Sequence, residues 1–197
     1  MESVRDRMVV GAAELLSRAG LAEASFRNVV AHTGAPRGSI YHHFPGGKDE
    51  LVGEAMRWIG GRLVGALRRT PLDGPDDVVV AFAGLFRRLL VDSGGGCAVA
   101  AVVSSAPPGT GPSDEAAQVF ASWRRELAAL FAAAGVPDQR CPALAVTTVA
   151  TVEGALVLAR ADGDVATFDR AVEELVRLVS AQDRAGSTQS SLPDGSS

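Results

Sequence analysis

The chain has 197 residues, 47% of them apolar, and a formal net charge of −4. That is enough length and apolar content for one large or two small domains with a real core. No run of about 18 apolar residues occurs, which predicts no membrane-spanning helix, and the opening MESVRDRM lacks an apolar signal core. A cytoplasmic protein is expected.

Charge is unevenly placed. Residues 1–70 hold ten Lys/Arg and seven Asp/Glu, a balance of +3, and the remainder holds nine and sixteen, a balance of −7. An acidic chain can still meet nucleic acid through a local basic patch. Cys97 and Cys141 lie far apart and form no CxxC. They read as small buried thiols.

Helical period runs through nearly every long segment. Val4, Met8, Ala12, Leu15 and Ala19 line one face of a first helix, with Ser3 and Asp6 as a capping box and Gly20 as its stop. Ser25 caps a short second helix that turns Phe26, Val29 and Val30 inward and stops near Thr33-Gly34. A third starts at Pro36, where a missing N–H is harmless, and runs to about His43. A fourth spans Asp49 to about Arg69. A fifth is marked by Val79, Phe82, Phe86 and Leu89, and Ala98–Ser104 is a short apolar piece. Ser113 is the expected cap of a long helix carrying Phe120, Trp123, Leu127, Leu130 and Phe131. Residues 138–160 form a very apolar helix and about 165–181 an amphipathic one. The stretch RAGSTQSSLPDGSS from Arg184 reads as a disordered tail.

Two short helices joined by Thr33-Gly34-Ala35 are the helix-turn-helix arrangement, whose second helix enters the major groove by its N-terminal part. Counted at about 100° per residue from Pro36, Ile40 and Phe44 share the inner side. Gly38 and His42 point away, with Arg37, Ser39 and Tyr41 on the flanks. Each outward residue suits DNA. Arg37 can donate two bonds to a guanine edge. Gly38 lets backbone approach the bases, and Ser39 can bond a base or phosphate. Tyr41 and His42 offer polar tips to phosphates. Lys48, opening the next helix, adds charge beside free backbone N–H groups. The neighbouring His42 and His43 point about 100° apart and do not share one ion easily, so no metal is expected.

The string SFRNVVAHTGAPRGSIYHHFPGGKDELVGEA, residues 25–55, resembles the TetR family of bacterial transcriptional regulators. Gly38, Ser39, Ile40, Tyr41, His43, Phe44, Lys48 and Leu51 fit its pattern. The later segments GCAVAAVV, EAAQVFASWRRELAALF and TVEGALVLARADGD are similar to the LmrA/YxaF-type branch. The resemblance implies an all-α fold: a three-helix DNA-binding domain (1–47), then a helical ligand-binding and dimerisation domain (48–183), with the tail at 184–197. It implies that Arg27 and Arg37 reach base edges or nearby phosphates, and that Ser25, Ser39, Tyr41, His42 and Lys48 hold the backbone. It also implies a ligand enclosed by helices four to seven with part of eight, for which Trp58, Phe82, Phe86, Phe120 and Trp123 are candidate contacts. Those few large side chains amid Ala, Val and Leu suit an apolar or flat aromatic ligand.

The expected partners are a double-stranded DNA operator, an unidentified small molecule and a second copy of the chain. The copies would pair through the last two helices, along Phe168, Val172, Leu175, Val176 and Val179. No cofactor is called for. No GxSxG, HExxH, Walker or dinucleotide string occurs, so no enzyme is expected. Repression released by ligand is the expected mode; an activator, or a ligand-binding protein with a vestigial DNA arm, stays open. Glu153 on the apolar helix needs a partner, with Arg124, Arg125 or a cationic ligand in view. Gly60, Gly61 and Gly65 make the fourth helix a candidate hinge, close packing being the other reason for them.

Overall fold

The computed structural model describes residues 3–36 and 38–189; Arg37, one of the candidate base-reading residues, lies outside the described residues. Those residues form nine helices and no strand, so the fold is all-α as expected. They are α1 (Val4–Ala19), α2 (Phe26–Thr33), α3 (Ser39–His43), α4 (Lys48–Leu67), α5 (Pro75–Ser93), α6 (Ala98–Ser105), α7 (Gly111–Ala133), α8 (Cys141–Asp162) and α9 (Val165–Gln189).

Local chemistry sets the starts. Ser3 Oγ accepts the Asp6 N–H while the Asp6 carboxylate accepts the Ser3 N–H, which closes the capping box of α1. Ser25 Oγ accepts the Asn28 N–H at α2. Three starts differ from expectation. Pro36 does not open α3: its carbonyl receives both the N–H and the hydroxyl of Ser39, at 3.0 and 2.7 Å, making a turn that Gly38 ends. Pro112 sets the start of α7 at Gly111, two residues ahead of Ser113, with Thr110 as N-cap. Before α8 the Arg140 N–H bonds the Pro137 carbonyl, so 138–140 form a turn and Pro142 falls in the first helical turn. At the other end α9 runs on to Gln189, into the stretch expected to be a tail; residues 190–197 lie outside the described residues.

α1, α2 and α3 surround Met8, Ala12, Val29, Ile40 and Phe44. Gly11 permits this closeness, because a Cβ there would strike the Thr33 methyl on α2. α4 joins this unit to the rest. It packs on α1 and, most extensively, on α7. Gly60 supplies the close approach, since an added Cβ would sit 3.1 Å from both methyls of Val119. On the same side Arg57 pairs with Glu115, and Arg68 grips Glu126 with two bonds of 2.7 and 2.6 Å. Both partners advance together, so α4 and α7 run in the same direction. α4 is unbroken through all three glycines. Gly60 is thus accounted for by packing, while Gly61 faces open space.

α5 and α8 both pack on α9. The stripe expected to meet a partner chain faces inward: Phe168, Leu175 and Val179 are buried within the protomer, and Val172 and Val176 are half-buried. α9 must cover the apolar flanks of α5 and α8 first. The apolar side chains left exposed nearby are Leu178 on α9 and Val146, Val157 and Leu158 on α8. Though no 18-residue apolar run occurs, α8 is by average hydropathy long and apolar enough to cross a membrane. Here it is a packed helix with Ala145, Thr148, Val152 and Leu156 in the core.

Candidate nucleic-acid interface and ligand cavity

α3 is held by its inner side. Ile40 and Phe44 are 1% exposed, and Arg5 stacks over the Phe44 ring at 5.1 Å. This leaves Tyr41 70% exposed and His42 and Gly38 open. The Tyr41 ring meets Phe26 edge-on at 5.3 Å, so the first turn of α2 braces it. Exposed Arg27 follows Phe26 on that turn. His43 is half-buried with its ring on His42.

Three other candidates are engaged within the chain. Ser25 is spent on its cap, and Ser39 donates to the Pro36 carbonyl. Lys48 Nζ donates to the Leu21 carbonyl at 2.7 Å, tying the start of α4 to the loop after α1. The ammonium keeps two further donors, but its position is fixed by this bond. The free face therefore consists of Arg27, Gly38, Tyr41 and His42. Neither the Phe26 brace nor the Lys48 tie follows from spacing, because both join segments that only the fold brings together.

Four of the five candidate ligand residues form one aromatic cluster. Trp123, 1% exposed, has Phe86, Phe120 and Phe82 around it at centroid distances of 5.7, 5.4 and 6.2 Å. Trp123 and Phe86 line an apolar cavity of about 100 Å³ with Ile59, Leu63, Leu85 and Cys97. Phe82 and Phe120 support Trp123 from outside that lining. The Trp123 Nε1–H is buried with no acceptor among the described residues. An unpaired buried donor is costly, and a bound molecule offering an oxygen would satisfy it. Trp58 stands apart, half-buried beneath the Arg62 guanidinium at 5.1 Å, and lines a wider cleft of about 630 Å³.

Glu153 does not pair with Arg124 or Arg125, both of which are exposed. Its carboxyl lies against the Cys97 thiol, and burial pushes it up to about 7. Burial first, and the Glu153 charge second, hold the thiol well above its ordinary value. Cys97 also caps α6, its sulfur accepting the Ala100 N–H at 3.4 Å. Cys141 is the other free, buried cysteine.

A braced, outward α3 joined by a tight turn to α2, ahead of a helical body with an apolar cavity, is the architecture of a helix-turn-helix transcriptional regulator. Comparisons with known proteins agree. The family description "Bacterial regulatory proteins, tetR family" matches residues 9–55, and "Transcriptional regulator LmrA/YxaF-like, C-terminal domain" matches residues 75–174. An uncharacterised HTH-type transcriptional regulator of Mycobacterium tuberculosis (strain H37Rv) is 35% identical over 192 residues, covering 92% of this chain and 97% of that one. The uncharacterised regulator YxaF of Bacillus subtilis is 25% identical over 181 residues, covering 89% and 94%. A TetR-family regulator of Agrobacterium tumefaciens superposes with a TM-score of 0.78 at 25% identity, over 89% of this chain and 97% of that one. A Legionella pneumophila TetR regulator shares the fold, with a TM-score of 0.81 at 19% identity over 91% and 98%. The chain belongs to the TetR family of transcriptional regulators. It is a regulator, not an enzyme.

Proposed function

We propose that the protein is a cytoplasmic, homodimeric repressor that leaves a near-palindromic operator when a small apolar or aromatic ligand enters the cavity behind Trp123. The outward face of α3 carries this reading. A tyrosine 70% exposed, braced by Phe26 and followed by an open His42, is a surface that solvent alone does not favour. Two such helices about 34–36 Å apart would read successive major grooves. Arg27 and Arg37 would supply base or phosphate contacts. Tyr41 and His42 would hold phosphates, and Lys48, Ser25 and Ser39 would keep the unit in shape.

Exposed Val146, Val157, Leu158 and Leu178 support pairing through α8 and α9, where an apolar surface needs cover. The division into a DNA-binding part (1–47) and a ligand-binding and dimerising part (48–183) places the boundary where α4 starts. The orphan Trp123 donor supports a ligand at the cavity. The test is selection of bound DNA from a random pool at about 150 mM salt, with wild type and a Tyr41→Ala, His42→Ala variant. Both positions are exposed, so folding should be unaffected. An enriched near-palindrome lost by the variant establishes the reading, and equal retention by the variant refutes it.

A further inference from the structure

The wide cleft lies between α1, α4 and α5 and shares Ser17, Ile59, Leu63, Leu85 and Leu89 with the cavity at Trp123. The small cavity therefore adjoins it across these residues and is the more apolar of the two. The rim is different in chemistry. Arg18, Arg62, Arg69 and Arg88 all line the cleft, and none has a carboxylate partner among the described residues. Other arginines packed between helices do have carboxylate partners: Arg5 with Glu54, Arg57 with Glu115, Arg68 with Glu126 and Arg87 with Asp169. The cleft holds only two acids, Glu14 and Asp92, and Glu14 is already bonded to His32 at 2.6 Å. In a chain of net charge −4, the cleft gathers four guanidinium groups without a carboxylate partner around one apolar slot.

We infer that this cleft takes an anionic amphiphile, with a carboxylate or phosphate head on the arginine rim and an apolar body along Ile59, Leu63, Leu85 and Leu89 toward Trp123. The inference rests on the ligand-released regulator proposed above and names its ligand class. Guanidinium groups are suited to oxyanions because their donors match two oxygens at once. Arg18 belongs to α1, Arg62 to α4, Arg69 to the turn just after α4, and Arg88 to α5. An oxyanion drawing on all three helices would pull α1 against α4 and α5. α1 also packs on α2 and α3, and the Gly96 N–H holds its Ser17 carbonyl at 2.8 Å. Ligand in the cleft would thus act on the helix that supports the DNA-reading pair.

The test titrates the full-length protein with decanoate, decyl phosphate and decyltrimethylammonium, following tryptophan fluorescence. Trp58 lines the cleft and Trp123 the adjoining cavity. Saturable binding of one or both anions, without the cation, is expected, and the better anion identifies the head group. Arg62→Gln with Arg88→Gln should weaken that binding by about tenfold or more while leaving the melting temperature in place. Binding of the cation as tightly as the anions overturns the inference, as does unchanged anion binding by the variant or no binding of any probe. Operator binding, measured on the same preparations by gel shift, separates the two readings. If it persists while the probes fail, only the ligand class is wrong. If it is absent while the anions bind, the regulator reading fails and the cleft assignment stands.

Discussion

Replacing Glu153 by Gln should make stability less sensitive to pH. The carboxyl holds its proton to about 7 in the native state, against 4.5 for the ordinary group, because burial disfavours its charged form. Between those values the native state binds more protons than the unfolded one, so stability falls as pH rises. Below the ordinary value both states are protonated and no penalty exists. Above about 7 the full penalty applies, about 3 kcal/mol for a gap of that width. Gln has the shape of the protonated acid and never ionises. The variant should match wild type within about 1 kcal/mol near pH 5 and exceed it by about 2–3 kcal/mol near pH 8, the shortfall reflecting an amide that must find its own acceptor beside Cys97. Urea unfolding at a fixed protein concentration measures both points. Glu126 and Asp169, held low by Arg68 and Arg87, lose their contribution only as pH falls through their own acidic range, and they cancel in the comparison. A difference that stays constant with pH, or a variant weaker at pH 8, would refute the burial argument.

Gly61→Ala fills open space inside a helix and should stabilise by about 1 kcal/mol, whereas Gly60→Ala meets Val119 at 3.1 Å. A stiff β-branched neighbour cannot swing aside easily, so chemical denaturation should place Gly60→Ala below Gly61→Ala by about 1–3 kcal/mol. Equal gains would sink that account. Gly11→Ala should destabilise through its clash with the Thr33 methyl, and adding Thr33→Ser, which deletes that methyl and keeps the hydroxyl bonded to the Val29 carbonyl, should restore most of the loss in thermal melts. Leu178→Glu should shift the protein toward monomer in sedimentation while leaving each protomer helical, since this side chain is 53% exposed; an unchanged dimer would place the interface elsewhere.

Periodicity made most of the fold legible. Apolar spacing located most of the helices, though Ala98–Ser104 read only as a short apolar piece, and Ser3, Ser25, Gly20 and Gly34 marked ends where the backbone does change conformation. Starts set by proline were harder. Pro36, Pro112 and Pro142 each signal a helix nearby, but whether a proline opens the helix or precedes it depends on what its carbonyl accepts. The outward face of α3 followed from angle counting, because Ile40 and Phe44 anchor one side. The aromatic residues gathered as expected around Trp123, except Trp58. Long-range pairs stayed hidden. Nothing local tells Glu153 that its neighbour is Cys97, or Lys48 that it will meet the Leu21 carbonyl. The α9 stripe misled for a related reason: an amphipathic face says that something covers it, not whether the cover is the same chain.

The two bridges between α4 and α7 have a consequence for how a signal could move. Arg57 and Arg68 are eleven residues apart, as are Glu115 and Glu126. Eleven residues bring a helix back to within about 20° of its starting face, so both rungs stand on one side, with Gly60 seated on Val119 between them. A shift of α4 along α7 by one turn would break both rungs at once and unseat the glycine. The pair therefore works as a beam with a fixed length and a keyed joint. Such a beam can tilt but cannot telescope. Under the proposed ligand-released mode, a movement that reaches α4 would arrive at the α1–α3 unit as a swing of the whole beam, with α7 carried along.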